Sequence, residues 1–306
     1  MANVSSWDAE DWLKRFNGDN VNYRQLRIEV WEDTKRIVEA GGYTLPNGKS
    51  ISIPADKSTR GKSSFYSEEM TASFEPLKTE PQITVVPDDC LDTAHAWINE
   101  GLSVSVLNLA SRKNPGGWVR KGSGAQEEYL FRCSDYYKFM YQFASYAWEY
   151  GLQQSDYQYP LDRNFGGIYS PGVTVFRENE ETGYRLADYA WQVNMIAVAG
   201  INHPETVIED GRERIAPFLV DGVKNKIRTI FRIACLHGQR NLVLGALGCG
   251  AFRNPPEHAA ELFREVLGET EFSGAFRRVC FAIKSDHNSK GSRNYLAFKK
   301  VFSPMD

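Results

Sequence analysis

The chain has 306 residues, 42% apolar, 25% charged and 13% aromatic, with 36 Lys and Arg against 39 Asp and Glu for a net charge of -3. This is ordinary globular usage, with length for one large domain or two smaller ones, and it excludes a mainly disordered chain. There is no polybasic footprint for nucleic acid or a membrane surface, and no apolar run approaches the roughly 20 residues of a membrane helix.

The N-terminal residues are polar and acidic, with Trp7 and Trp12, and do not read as a secretory signal. Leu26, Val30, Ile37 and Val38 share a helical stripe, which predicts a helix over 23–41 stopped by Gly41-Gly42. Residues 43–82 read as loops with short alternating runs, and 58–64 as the most flexible stretch. From residue 83 strands alternate with helices. Strands are expected at 83–86, 103–109, 172–176, 195–199, 241–244 and 279–283. Helices are expected at 91–99, 127–150, 214–237, 256–267 and 292–301. The alternation predicts an α/β fold with a parallel or mixed sheet covered on both faces. No linker interrupts it, so residues 83–306 are expected to form one unit with 1–82 as an extension packed on it.

The five cysteines (Cys90, Cys133, Cys235, Cys249, Cys280) are odd in number and contain no C-x-x-C, and the five histidines form no H-x-x-x-H pair. Neither a disulfide framework nor a metal site is expected, and no cofactor is. Inert buried thiols and an intracellular location fit best, with cytoplasm and nucleus not distinguished.

Two loops can carry chemistry. The first leaves the strand at Asn108 and runs through Asn114-Pro115-Gly116-Gly117-Trp118 and Gly122-Ser123-Gly124 into Gln126-Glu127-Glu128. Ligands bind at such strand ends in open α/β sheets, and glycines permit close backbone approach. Two carboxylates in a first helical turn also simply complement the helix dipole. The second loop, Gly245-Ala246-Leu247-Gly248-Cys249-Gly250-Ala251-Phe252, lies between a strand and a helix, a geometry that cradles phosphates through free N–H groups. It lacks the lysine of a nucleotide-triphosphatase loop and the third glycine of a dinucleotide fingerprint. Weaker candidates are Ser123, the pair Asp286-His287, and the aromatic run 135–141, which reads as core.

The stretch SVSVLNLASRKNPGGWVRKGSGAQEEYLFRCSDYY, with IYSPGVTVFRE, NMIAVAG, LVLGALGCGAFRNPPEHAAELF and VCFAI in order, resembles the microbial-type poly(ADP-ribose) glycohydrolases. The resemblance implies a three-layer α/β/α macrodomain-like fold with a mixed central sheet and an N-terminal helical extension. It also implies a glycoside hydrolase that releases ADP-ribose. By position, Glu128 matches the catalytic acid and Glu127 its ribose-holding partner. Asn108, Gly116, Gly117 and Gln126 match ligand contacts of the first loop. Gly245, Gly248, Cys249, Gly250, Ala251 and Phe252 match the diphosphate loop and its ribose-packing aromatic. Trp118 stands where the family pattern has a third glycine. Adjacent helical residues point about 100° apart, so Glu127 and Glu128 cannot flank one bond, and a single glutamate must act as acid and then base. ADP-ribose or poly(ADP-ribose) is the implied partner. The alternatives are a mono-ADP-ribosyl hydrolase acting on a modified protein or nucleic acid, and a non-catalytic ADP-ribose-binding macrodomain.

Overall fold

The computed structural model describes residues 7–53, 63–285 and 291–303. Helix α1 (Ala9–Phe16) starts where the Asp8 carboxylate accepts from the Asp11 N–H, and α2 (Tyr23–Ala40) ends as predicted, at Gly41 in the left-handed region. The run at residues 50–53 supplies β2 (Ser50–Ser52), antiparallel to β1 (Gly42–Thr44). Of the stretch 58–64, only its last two residues are described, and Ser64 opens β3 (Ser64–Tyr66). Then come β4 (Gln82–Val86), α3 (Cys90–Asn99) capped by Asp89, β5 (Ser105–Leu109), α4 (Gln126–Cys133) and α5 (Tyr137–Met140). Strands β6 (Gly167–Arg177) and β7 (Leu186–Val198) are long, and the hairpin β8 (Thr206–Glu209) and β9 (Arg212–Ile215) precedes α6 (Pro217–Leu236). The chain closes with β10 (Asn241–Leu244), α7 (Pro256–Leu267), β11 (Arg278–Ala282) and α8 (Arg293–Phe302).

One predicted element is broken. The expected helix over 127–150 stops at Ser134, which is extended at φ -149° and ψ 176°. Its hydroxyl donates to the Leu130 carbonyl and accepts from the Tyr136 N–H, while the Asp135 carboxylate accepts from the Thr174 N–H. The chain leaves the helix to bridge β6 at Val175, and helical spacing of aromatics does not encode that competition.

Seven strands form a mixed sheet in the order β3-β6-β7-β5-β10-β11-β4. β7·β5, β5·β10, β10·β11 and β11·β4 are parallel, and β3·β6 is antiparallel. Leu242, Leu244, Val279 and Phe281 face a core shared with Phe231 of α6, Phe263 of α7 and Phe298 of α8. Strand alternation turns Val106, Val243 and Cys280 to the other face, where α3 packs on β5 and β10. Helices on both faces explain why these strands are continuous apolar runs. The mixed sheet and its layers are those the resemblance implies.

The residues fall into two compact units, each using segments from both sides of residue 82. One comprises residues 1–63, 113–159 and 170–193; the other comprises 64–112, 160–169 and 194–306. The first unit is aromatic: Trp31 packs on Phe131, Tyr137 and Tyr141, and Trp12 on Tyr184. Its buried ion pair, Arg177 with Asp33, is completed by Thr34 Oγ1 and the Tyr184 carbonyl, both accepting from Arg177. The second unit holds the β3·β6, β7·β5, β5·β10, β10·β11 and β11·β4 pairings and the core under α6, α7 and α8.

Candidate active site

In the first unit the glycine loop folds back onto the glutamates that follow it. Gly116 and Gly117 have φ of 73° and 56°, and Trp118 starts a 3-10 turn over Val119–Lys121. The Gly116 N–H donates to Glu127 Oε1 at 3.0 Å, and the Trp118 N–H donates to Glu128 Oε1 at 2.9 Å. A Cβ on Gly117 would lie 2.3 Å from Glu128 Oε1 and 3.1 Å from Glu127 Oε2. Both carboxylates therefore converge on one short stretch of backbone, and only a residue without a side chain fits between them. They share one side of the site and do not flank it. Both are nearly out of solvent, Glu127 3% and Glu128 5% exposed. Glu128 Oε2 is buried and has no hydrogen-bond partner among the described residues.

The other glycines of this loop serve packing. A side chain at Gly116 would strike the Phe131 ring. One at Gly122 would strike the Arg24 backbone, and one at Gly124 the Arg27 guanidinium. The close approach expected at Gly122 and Gly124 is thus made to α2. Arg27 in turn forks onto Glu180 at 2.7 and 2.9 Å. Burial works against its charge, but hydrogen bonding and attraction to Glu180, with smaller help from Tyr184 and Glu128, leave its pKa raised. Arg132, fully buried four residues after Glu128, donates to the Ser123 carbonyl and the Tyr184 hydroxyl. These two arginines anchor the loop, and sequence reading did not single them out. The i to i+4 spacing from Glu128 to Arg132 was the available signal. Gln126, the first residue of α4, is half-buried.

In the second unit Asn108 is fully buried in β5, opposite Ala197 of β7. The loop after β10 turns at Gly248, with φ of 77°, and its organiser is Asn254. The Asn254 Nδ2 donates to the carbonyls of Ile201 at 2.7 Å, Gly248 at 3.0 Å and Phe252 at 3.3 Å. A Cβ on Gly248 would lie 2.6 Å from that amide nitrogen. The carbonyl of Cys249 is held by Asn294, and that of Gly250 by the Arg253 N–H. Across those trans peptide planes the N–H groups of Gly250 and Ala251 point the opposite way. Together with that of Phe252 they donate to no described residue.

The helix that follows opens with fewer N–H donors than the sequence pattern suggests. Pro255 caps α7 and Pro256 opens it, so both lack an N–H, and Glu257 in the first turn pairs with Lys300. Cys249 is inert: burial pushes its thiol up to about 12, against a small opposing pull from Arg293. Among the described residues no group of three His, Cys, Asp or Glu is arranged to hold a metal, and no helix is long and apolar enough to cross a membrane. Asp286 and His287 lie outside the described residues.

A mixed sheet covered by helices, with ligand-scale loops after its strands, defines a macrodomain-like α/β protein. A family model for the microbial-type PARG catalytic domain matches residues 32–178. The poly(ADP-ribose) glycohydrolase of Thermomonospora curvata bound to the inhibitor ADP-HPD is 30% identical with a TM-score of 0.71, covering 91% of this chain and all of that one. A second structure of the same enzyme gives 29% identity and a TM-score of 0.73 over the same shares. The Deinococcus radiodurans enzyme in complex with ADP-ribose is 27% identical with a TM-score of 0.61, covering 81% of this chain and 97% of that one. No curated protein matches the chain. The chain belongs to the microbial-type poly(ADP-ribose) glycohydrolase family.

Proposed function

We propose that this protein hydrolyses the O-glycosidic ribose bond of poly(ADP-ribose) and releases ADP-ribose, with Glu128 as general acid and base. The observation that carries this reading is the asymmetry of the Glu128 carboxylate. Oε1 accepts the Trp118 N–H, which leaves the buried, unpartnered Oε2 as the oxygen that carries the proton. Oε2–H protonates the departing oxygen as the bond to ribose C1″ breaks. A water oxygen then bonds to C1″ and returns a proton to Oε2, which restores the enzyme. Glu127, tied to the Gly116 N–H, orients the ribose hydroxyls and does not exchange the proton.

In the second unit the N–H groups of Gly250, Ala251 and Phe252 suit a diphosphate, with Gly245, Gly248 and Cys249 shaping the loop and the half-buried Phe252 ring packing on a ribose. Asn108, Gly116, Gly117 and Gln126 complete the ligand set. All of these residues lie within 83–306, and we assign 1–82 a supporting role. The Arg24 backbone against Gly122 and the Arg27 side chain against Gly124 favour that division of labour. Backbone donors suit anion binding in a chain whose net charge is -3. Five free, buried cysteines suit an intracellular setting.

The test is release of ADP-ribose from purified polymer, measured beside release from protein-linked ADP-ribose. Release from the polymer is expected. No release from either substrate, with ADP-ribose still bound, would reduce the protein to a reader.

A further inference from the structure

Trp118 is half exposed, at 52%, although its backbone N–H is held 2.9 Å from the Glu128 carboxylate. The loop brings this tryptophan to the reacting glutamate and leaves its indole in solvent. The Lys121 ammonium stands 4.3 Å from the indole centroid, and the next guanidinium along, Arg120, lies 4.4 Å over the Tyr146 ring. Lys121 is itself exposed. A cation on an aromatic face restrains the ring and places a positive charge at its border.

We propose that Trp118 and Lys121 form a leaving-side subsite that stacks the purine of the nucleotide attached to the departing oxygen and receives that nucleotide's phosphate. The inference rests on the glycohydrolase reading and adds the residues that recognise the leaving nucleotide. The general acid must touch the departing oxygen, so whatever is bonded to that oxygen emerges beside Glu128. Trp118 is one hydrogen bond from that carboxylate. In the polymer the departing oxygen is a hydroxyl of an adenosine, which brings an adenine face and a diphosphate to this position. In a modified protein it is a side chain with neither. An exposed indole with a restrained ammonium matches the first chemistry, since stacking accepts any base and the cation accepts phosphate. Trp118 thus favours chain-linked over protein-linked ADP-ribose.

The test uses the full chain carrying Glu128→Gln, so that ligands survive, and compares the affinities of ADP-ribose and of its dimer by calorimetry. The dimer should bind more tightly than the monomer. Trp118→Ala should remove about fivefold to a hundredfold of the dimer's affinity and leave the monomer within about twofold. Trp118→Phe should restore most of the difference. Lys121→Ala should flatten the salt dependence of dimer binding. Equal affinity for dimer and monomer in the parent, or equal loss for both in Trp118→Ala, would overturn the subsite while leaving the glycohydrolase reading intact. Failure of both ligands to bind the parent would remove the glycohydrolase reading, and the subsite with it.

Discussion

The two glycine-rich loops are alike in composition and opposite in the use of their backbone. In the loop before α4 the N–H groups of Gly116 and Trp118 are taken up by Glu127 and Glu128, and protein atoms fill the space beside each glycine. In the loop after β10 a side-chain amide takes up carbonyls, and three N–H groups are left with no described acceptor. The first loop is completed by the protein's own carboxylates; the second keeps the donors that the proposed diphosphate site would use. Glycine content therefore does not identify a ligand loop. What each N–H already meets separates a loop whose donors are taken up by carboxylates from one whose donors have no described acceptor.

The largest break is Glu128→Gln. The amide oxygen still accepts the Trp118 N–H, so the loop keeps its shape, but no proton can be cycled through the other atom. Turnover should fall about 10²–10⁴-fold while ADP-ribose affinity, measured by calorimetry, stays near the parent's. Near-normal turnover would take Glu128 out of the mechanism.

Gly117→Ala attacks the same loop through its backbone. The new methyl would sit 2.3 Å from Glu128 Oε1 at a residue with φ of 56°. Backbone strain of about 1–3 kcal/mol is expected, and displacing the acid by an ångström is worth about a hundredfold in rate. The pairing of lowered melting temperature with lowered turnover is the signature. A variant as active as the parent would show that the carboxylates are not positioned by this contact.

Much of this was legible in the residues, and the misses have physical causes. Helix α2 and its stop at Gly41 follow from apolar spacing and a left-handed glycine, and α7 over 256–267 follows from a proline start and an amphipathic stripe. The helix expected over 127–150 fails because Ser134 and Asp135 bond to backbone in ways the aromatic spacing does not reveal. The hairpin β8–β9 breaks the inside-outside pattern of a covered strand, since the apolar Val207 and Ile208 are exposed and only Ile215 is buried; its signal was the Asp210-Gly211 turn. At the candidate site, the motifs point to Glu127, Glu128 and both loops. Asn254 was not, because an asparagine that organises carbonyls three ways leaves no spacing signature. Arg27 was missed because Glu180, its hydrogen-bond partner, lies 153 residues away in sequence.

Asn254→Asp tests the second loop through that organiser. It turns a donor into an acceptor facing the carbonyls of Ile201, Gly248 and Phe252. Each lost hydrogen bond is worth about 1 kcal/mol, and repulsion adds to it. ADP-ribose affinity should fall about tenfold, equivalent to about 1.4 kcal/mol. Turnover at saturating substrate should change far less, because the carboxylates of the first loop are untouched. Equal losses in affinity and in saturated turnover would mean that the two loops do not divide their work as proposed.

The smallest effect, and the sharpest reading of the comparison, belongs to Gly245→Ala. Unlike Gly117 and Gly248, Gly245 is not left-handed, and an added Cβ would meet only the Leu109 side chain, at 3.4 to 3.8 Å. That is ordinary contact, so the fold has no objection to the methyl group. Replacing glycine by alanine where the backbone permits it also restricts the unfolded chain, which raises stability by about 0.4–1 kcal/mol. The melting temperature should hold or rise slightly. Any loss of ADP-ribose affinity in such a variant then reports on the ligand and not on the loop. A two- to threefold loss, about 0.4–0.7 kcal/mol, is expected if ligand backs against this strand end. An unchanged affinity would remove Gly245 from the ligand set and leave the open N–H groups of residues 250–252 as the part of the loop that binds. A fall in melting temperature would instead show that the space beside Gly245 is as restricted as that beside Gly248.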